Sequence, residues 1–346
     1  LNSTVRHAKT TPVLINYSIG SKRYEKKPDA ADLELVEKID AISIDSWVPN
    51  CRMPVGDECR RNDRFGITHV HQFYTKRNLC IISRFRDLCP SEEFYILITK
   101  IAFQNTKLYR FTYQSGVWGA GGGPMSGTLY MPSLVKELNV INQIESAIKG
   151  KSKIDFPYKS GSNLIGVQSA TELTDIPSES IDYIFTDPPF GANLMYSELN
   201  FISETWLKVR TNNSHEAIEN NSQNKSTFDY QNLMSKCFVE YYRILKDEKW
   251  MTVEFSNTSA AIWNAIQASL QKAGFIIANV ASLDKQKESF KAVTTPTAVK
   301  QDLVISCYKP STETIKAITE NPEMNIWEFV SQHLQHLPIH LIKENN

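Results

Sequence analysis

The apolar run Ile181-Asp182-Tyr183-Ile184-Phe185-Thr186 stops after Asp187 against two consecutive prolines, Pro188 and Pro189. Its β-branched and aromatic residues favour a strand. Proline has no N–H and a fixed φ, so the strand cannot continue past them. Around this run, short apolar segments alternate with amphipathic ones. Leu164–Val167 reads as another strand, and residues 197–208 and 231–246 read as helices. Trp250–Phe255 is the next strand, and Ser259–Ala273 the next helix, with Gly274 at its C-cap. Ile276–Ser282 and Asp302–Tyr308 close the series. The alternation predicts an α/β fold with a mainly parallel sheet.

In open α/β sheets ligands bind beyond the carboxyl ends of the strands, which is where Asp187 and Phe190 fall. Asp and Pro are ordinary turn residues, so the tetrapeptide alone says little; the strand before it and Gly191 after it give it meaning. A carboxylate and a proline carbonyl can accept the two hydrogens of an exocyclic NH2 on a nucleic-acid base. That localises a lone pair otherwise delocalised into the ring. Phe190 supplies an aromatic face for a base flipped out of its stack.

At these residues the chain resembles the amino-group DNA methyltransferases, whose catalytic motif is Asp, Asn or Ser, then Pro-Pro, then an aromatic residue. The likeness is greatest to a bacterial subgroup with Thr186-Asp187-Pro188-Pro189-Phe190-Gly191, then Asn193, Tyr196, Ser197, Glu198, Leu199 and Asn200. It extends to His69–Leu79 upstream and to Arg243–Lys246 downstream. The resemblance implies a class I AdoMet-dependent methyltransferase, a Rossmann-like sheet with an N-terminal accessory region. It implies transfer of a methyl group from S-adenosyl-L-methionine to adenine N6 or cytosine N4 in double-stranded DNA. Asp187, Pro188, Pro189 and Phe190 are then the catalytic motif, and the Asp in first position leans toward adenine. Phe185, Thr186 and Asp187 would shape part of the cofactor pocket, and Gly191, Asn193, Tyr196 and Asn257 the base pocket.

One expected element is missing. The family holds the methionine end of AdoMet with a glycine-rich loop directly after a first strand, often Asp-Pro-Phe-x-Gly-Ser-Gly, and this chain has no such string. The cluster around Gly121 and Gly123 follows a candidate strand at Tyr109–Tyr113, but Pro132 interrupts the helix that should come next. Gly121 and Gly123 are therefore weak cofactor candidates, and the reading expects the loop in an upstream segment or a partner subunit.

Upstream, helices are expected at Asp32–Ile42, Ser91–Gln104 and Ser133–Lys149, and the chain is expected to divide into an accessory region at 1–150, a catalytic domain at 151–310 and a helical tail at 311–346. Residues 212–227, rich in Asn, Ser and Glu, read as a long mobile insertion. Lys plus Arg equals Asp plus Glu at 38 each, so any grip on a polyanion must be local. Lys76, Arg77 and Asn78, with Arg84 and Arg86 nearby, are one candidate nucleic-acid contact, and Lys287 and Lys291 another. The six cysteines lack CxxC spacing, so no metal site is expected. With no stretch near the roughly 20 apolar residues of a membrane span, and no signal-peptide core at the start, the reading is cytoplasmic. Two other readings compete: a guanine-N2 RNA methyltransferase, which uses a similar motif, and a noncatalytic DNA-recognition subunit that keeps the fold.

Overall fold

The computed structural model describes residues 8–89, 91, 94–111, 122–151, 164–192, 194–256, 259–284 and 301–320. The chain divides into two compact units: Leu1–Ser162 with Met195–Asn212, and Asn163–Leu194 with Asn213–Asn346. Among the described residues, no helix is long and apolar enough to cross a membrane.

The first unit opens with an antiparallel hairpin of β1 (Ile15–Ile19) and β2 (Lys22–Lys26), in which Tyr17 and Tyr24 stack across the strands at 5.5 Å. Five helices follow: α1 (Ala30–Asp40), α2 (Lys76–Asp87), α3 (Tyr95–Gln104), α4 (Val140–Lys151) and α5 (Tyr196–Leu207). Asp29 and Asp32 form a capping box on α1, and the Thr75 side chain accepts from the Asn78 N–H to cap α2. Phe73, Ile82, Ile98, Ile101, Leu129, Phe201, Ile202 and Trp206 form the core. Within it the Trp206 indole N–H donates to the Tyr74 hydroxyl at 2.9 Å, which satisfies a donor that would be costly to bury alone. The helix expected from Ser133 starts only at Val140. Residues 134–136 are extended instead: Leu134 accepts from the Phe111 N–H, and the Lys136 N–H donates to Tyr109. This pairing takes these residues out of any earlier helix start.

In the second unit the predicted order after the motif is present, and every expected element from residue 181 to 308 lies within a few residues of its place. The unit holds β3 (Ile181–Thr186), α6 (Thr227–Ile244), β4 (Leu245–Phe255), α7 (Ala260–Ala273), β5 (Ile276–Asp284), β6 (Gln301–Tyr308) and α8 (Thr312–Glu320). The four strands make one sheet in the order β3-β4-β6-β5. It is mixed rather than mainly parallel: β3 and β4 are parallel, while β6 runs antiparallel to both of its neighbours. Antiparallel neighbours need no crossover helix, and an apolar run carries no sign of its direction. Phe238 of α6, Met251, Val253 and Phe255 of β4, Ile266 and Leu270 of α7, and Ile305 of β6 form this unit's core.

One expectation fails here. Leu164–Val167 is not a strand: it forms no ladder among the described residues, and Leu164, Ile165 and Val167 are almost fully exposed. The insertion at 212–227 carries short 3-10 turns at Asn213–His215 and Asn221–Gln223. The Lys225 ammonium ties them together by donating to the Asn213 and Glu216 carbonyls. Burial pulls its pKa below the usual lysine range.

Candidate active site

Strand β3 pairs in parallel with β4, Phe185 opposite Thr252 and Thr186 opposite Val253, so both strands leave the sheet at the same end. The Tyr183 hydroxyl donates to the Thr252 side chain at 2.7 Å. Asp187 is exposed just beyond the strand end, Pro188 is buried, and Pro189 and Phe190 are half-buried. A carboxylate is thus presented to solvent on a stem whose next residue is locked into the unit.

Three contacts of the second unit hold the motif. The Tyr230 hydroxyl, from a fully buried side chain on α6, donates to the Pro189 carbonyl at 2.8 Å. Burial, helped by the charge of Glu219, pushes this phenol's pKa well up, so it remains a donor. The Gly191 carbonyl accepts from the Glu219 N–H at 3.3 Å, and Gly191 has φ of 71°, a left-handed backbone that a side chain would strain. Phe190 sets its ring edge against Phe255, centroids 5.4 Å apart and planes at 83°. The sequence reading pairs the carboxylate with a carbonyl of the Pro-Pro turn without choosing between the two prolines. Pro189 is already engaged, which leaves Pro188 as the better candidate acceptor beside Asp187.

Neither Tyr230 nor Glu219 stood out in the sequence. The low-complexity look of 212–227 hid a segment whose Ala217 and Ile218 are buried beside the motif's own anchor. Replacing Tyr230 by Phe removes one hydrogen bond and keeps the ring. We expect a stability loss of about 1 kcal/mol and a clearly larger proportional loss in kcat, because the Pro189 carbonyl is left without its donor; thermal melts and steady-state rates check this. Unchanged kcat would reduce Tyr230 to core packing.

The other predicted site residues are scattered. Asn193, Asn257, Gly121, Lys287 and Lys291 lie outside the described residues. Tyr196 is exposed at the start of α5 and belongs, with Gly123, to the first unit. The N-cap of that helix is Met195, without a side-chain capping bond. The Gly123 carbonyl accepts from the Arg110 N–H at 3.4 Å, and a Cβ on Gly123 would meet nothing within 4 Å. Arg77 is paired with Glu137 at 2.9 Å. Asn78 is buried and donates to the Asn105 carbonyl at 3.2 Å, a structural role that takes it off the surface. No group of three or more His, Cys, Asp or Glu among the described residues is placed to hold a metal ion.

As a holder for AdoMet the second unit is partial. Phe185 is 60% exposed beside the exposed Asp187, so the end of β3 offers one apolar and one acidic surface, suited to one wall of a pocket for a cationic, adenosine-bearing cofactor. Among its described residues, no glycine-rich turn follows a parallel strand to supply the opposite wall.

None of the curated proteins compared with the chain matches it. Among solved structures it is similar to a putative DNA modification methylase from Thermus thermophilus, complexed with S-adenosyl-L-methionine: 15% identity, TM-score 0.28, 42% of this chain and 54% of that one covered. It is also similar to the PvuII DNA methyltransferase (cytosine-N4-specific), at 14% identity and TM-score 0.28 over 43% of this chain and 51% of that one. A SAM-dependent methyltransferase from Methanosarcina mazei matches at 11% identity and TM-score 0.27, over 49% and 78%. The chain spans about half the length of the first of these structures. Residues 181–339, which begin at the first residue of β3 and contain the whole Asp187–Phe190 motif, match the family model for amino-group (N6/N4) methyltransferases, described as DNA methylase.

Proposed function

We propose that this chain carries the catalytic part of an AdoMet-dependent enzyme that methylates an exocyclic amino group of a DNA base, with adenine N6 as the target. The observation that carries the proposal is Asp187, exposed at the carboxyl end of a parallel strand inside the matched segment, on a Pro-Pro turn anchored by Tyr230. AdoMet, when bound, supplies the methyl group. Asp187 and the Pro188 carbonyl accept hydrogens of the target NH2, which shifts electron density onto its nitrogen. Asp187 is also the group placed to take the proton that nitrogen releases as the new C–N bond forms. Phe190, fixed by Phe255, offers the flipped base an apolar neighbour. Cofactor-binding roles for Phe185 and Thr186, and base-pocket roles for Gly191, Asn193 and Asn257, belong to this proposal, as does a second wall of the cofactor pocket from a further segment or subunit.

The test is the product. Duplex DNA and total RNA treated with the protein and AdoMet should yield N6-methyladenine from the DNA on nucleoside mass spectrometry. N4-methylcytosine alone would keep the chemistry and change the base. Methylguanosine confined to RNA would replace the DNA reading altogether.

A further inference from the structure

On the first unit, away from the Asp187 motif in sequence, two cations converge on one tryptophan. The Arg86 guanidinium lies 4.7 Å from the centre of the Trp47 ring, and the Lys208 ammonium lies 4.7 Å from it as well. Both charges therefore sit within about a Debye length of each other at moderate salt. Arg210 follows two residues after Lys208 and reaches over Phe201 at 5.9 Å, and exposed Arg84 shares the last turn of α2 with Arg86. Trp47 is itself 36% exposed, although its edge packs on the buried Trp206.

The arrangement is built. The Arg86 Nε donates to the Trp206 carbonyl at 3.0 Å, and its guanidinium also lies 5.1 Å from the Tyr95 ring, so its position is fixed from two sides. Lys208 takes a left-handed backbone, φ 58°, at the C-cap of α5. The helix termini of α2 and α5 favour a cation each. They do not explain an indole left partly bare between two cations. Among the described residues the acidic positions near this cluster in sequence are Asp45, Asp87 at the end of α2, and Glu204 in the last turn of α5, which is bonded to the Thr211 N–H and hydroxyl. Among the described residues no carboxylate forms an ion pair with Arg86, Lys208 or Arg210. Like charges gathered with no carboxylate partner among the described residues, on a chain that is neutral overall, are complementary to a polyanion.

We infer that Arg86 and Lys208, gathered on Trp47, form with Arg210 two residues further on a phosphate-binding patch that docks the DNA substrate. The inference rests on the proposed DNA methylation and names where the duplex is gripped. The cations take phosphodiester oxygens, and Trp47 supports them and covers the sugar edge. This patch replaces the Lys76-Arg77-Asn78 cluster, in which Arg77 is paired and Asn78 buried, as the stronger candidate contact.

The test uses the full chain and a fluorescein-labelled DNA duplex of mixed sequence, with anisotropy followed across a salt series. Each lost phosphate contact lowers the slope of log Kd against log salt by about one. Lys208→Gln with Arg210→Gln should therefore lower the slope by about two and weaken binding, while Lys208→Arg with Arg210→Lys should keep both. Both residues are exposed, and circular dichroism confirms that the variants fold. A wild-type slope in the Gln pair overturns the patch and leaves the methylation reading standing. Absence of duplex binding by the wild-type chain, or clearly tighter binding of single-stranded RNA, overturns the patch and the DNA reading together.

Discussion

Asp187→Ala should lower kcat for methyl transfer by about 10²- to 10⁴-fold, the range expected when a positioned proton acceptor is removed, and should leave the melting temperature within about 1 °C of wild type. The two halves of this expectation have separate causes. The carboxylate is exposed just past β3 and is not part of the apolar core of the second unit. Its neighbours are held independently, by Tyr230 on the Pro189 carbonyl and by Phe255 against Phe190. Asp187→Asn keeps one oxygen acceptor and turns the other into a donor, so it should fall less far than Ala. Transfer of label from radioactive AdoMet to DNA measures the rates, and a thermal melt measures the fold. A near-normal rate in Asp187→Ala would remove the carboxylate from the chemistry, whatever the fold does.

Much of the second unit was legible because its elements are written in local patterns. The strand ahead of the prolines, the two long helices and the Gly274 cap each depend on residues close in sequence. What was not legible depends on partners. The exposed Leu164–Val167 run and the buried Trp250–Phe255 run look alike as strings, and only the second has neighbouring strands on both sides. Tyr230 is 41 residues from Pro189, and its helical periodicity says that it is buried without saying that its hydroxyl reaches the motif. The hairpin of β1 and β2 was hard to read, because Ile15–Ile19 alternates but Lys22–Lys26 carries only Tyr24 among charged residues. The motif itself was fully readable, because prolines act through their own backbone; the residues that position it were not.

The same limit applies to Glu198, where the second large effect is expected. In the sequence it stands only as one residue of the string that resembles the family. In the structure it is 1% exposed, and its carboxylate accepts the backbone N–H groups of Glu58 at 2.7 Å and Cys59 at 3.0 Å. The Glu198 carbonyl also takes a contact from the Cys59 Sγ at 3.7 Å. Glu58 continues the network, accepting from Arg61, from the Thr128 hydroxyl and from the Leu129 N–H. Burial works to raise the Glu58 pKa, but these donors outweigh it and hold the carboxylate below its usual range. Glu198→Ala orphans two buried donors at about 1 to 3 kcal/mol each. The loss is a large share of a typical domain stability of about 5 to 15 kcal/mol. At about 2 to 4 °C per kcal/mol for a unit of this size, the melting temperature of the first unit should drop by roughly 10 °C. Gly56 provides an internal check, since a Cβ there would stand 2.2 Å from the Glu198 Cδ. Gly56→Ala should therefore destabilise the wild-type protein and cost much less in the Glu198→Ala background, a non-additivity that only direct contact produces. If the two substitutions add, or if Glu198→Ala melts like wild type while activity falls, the carboxylate serves the substrate rather than the loop at residues 56–59.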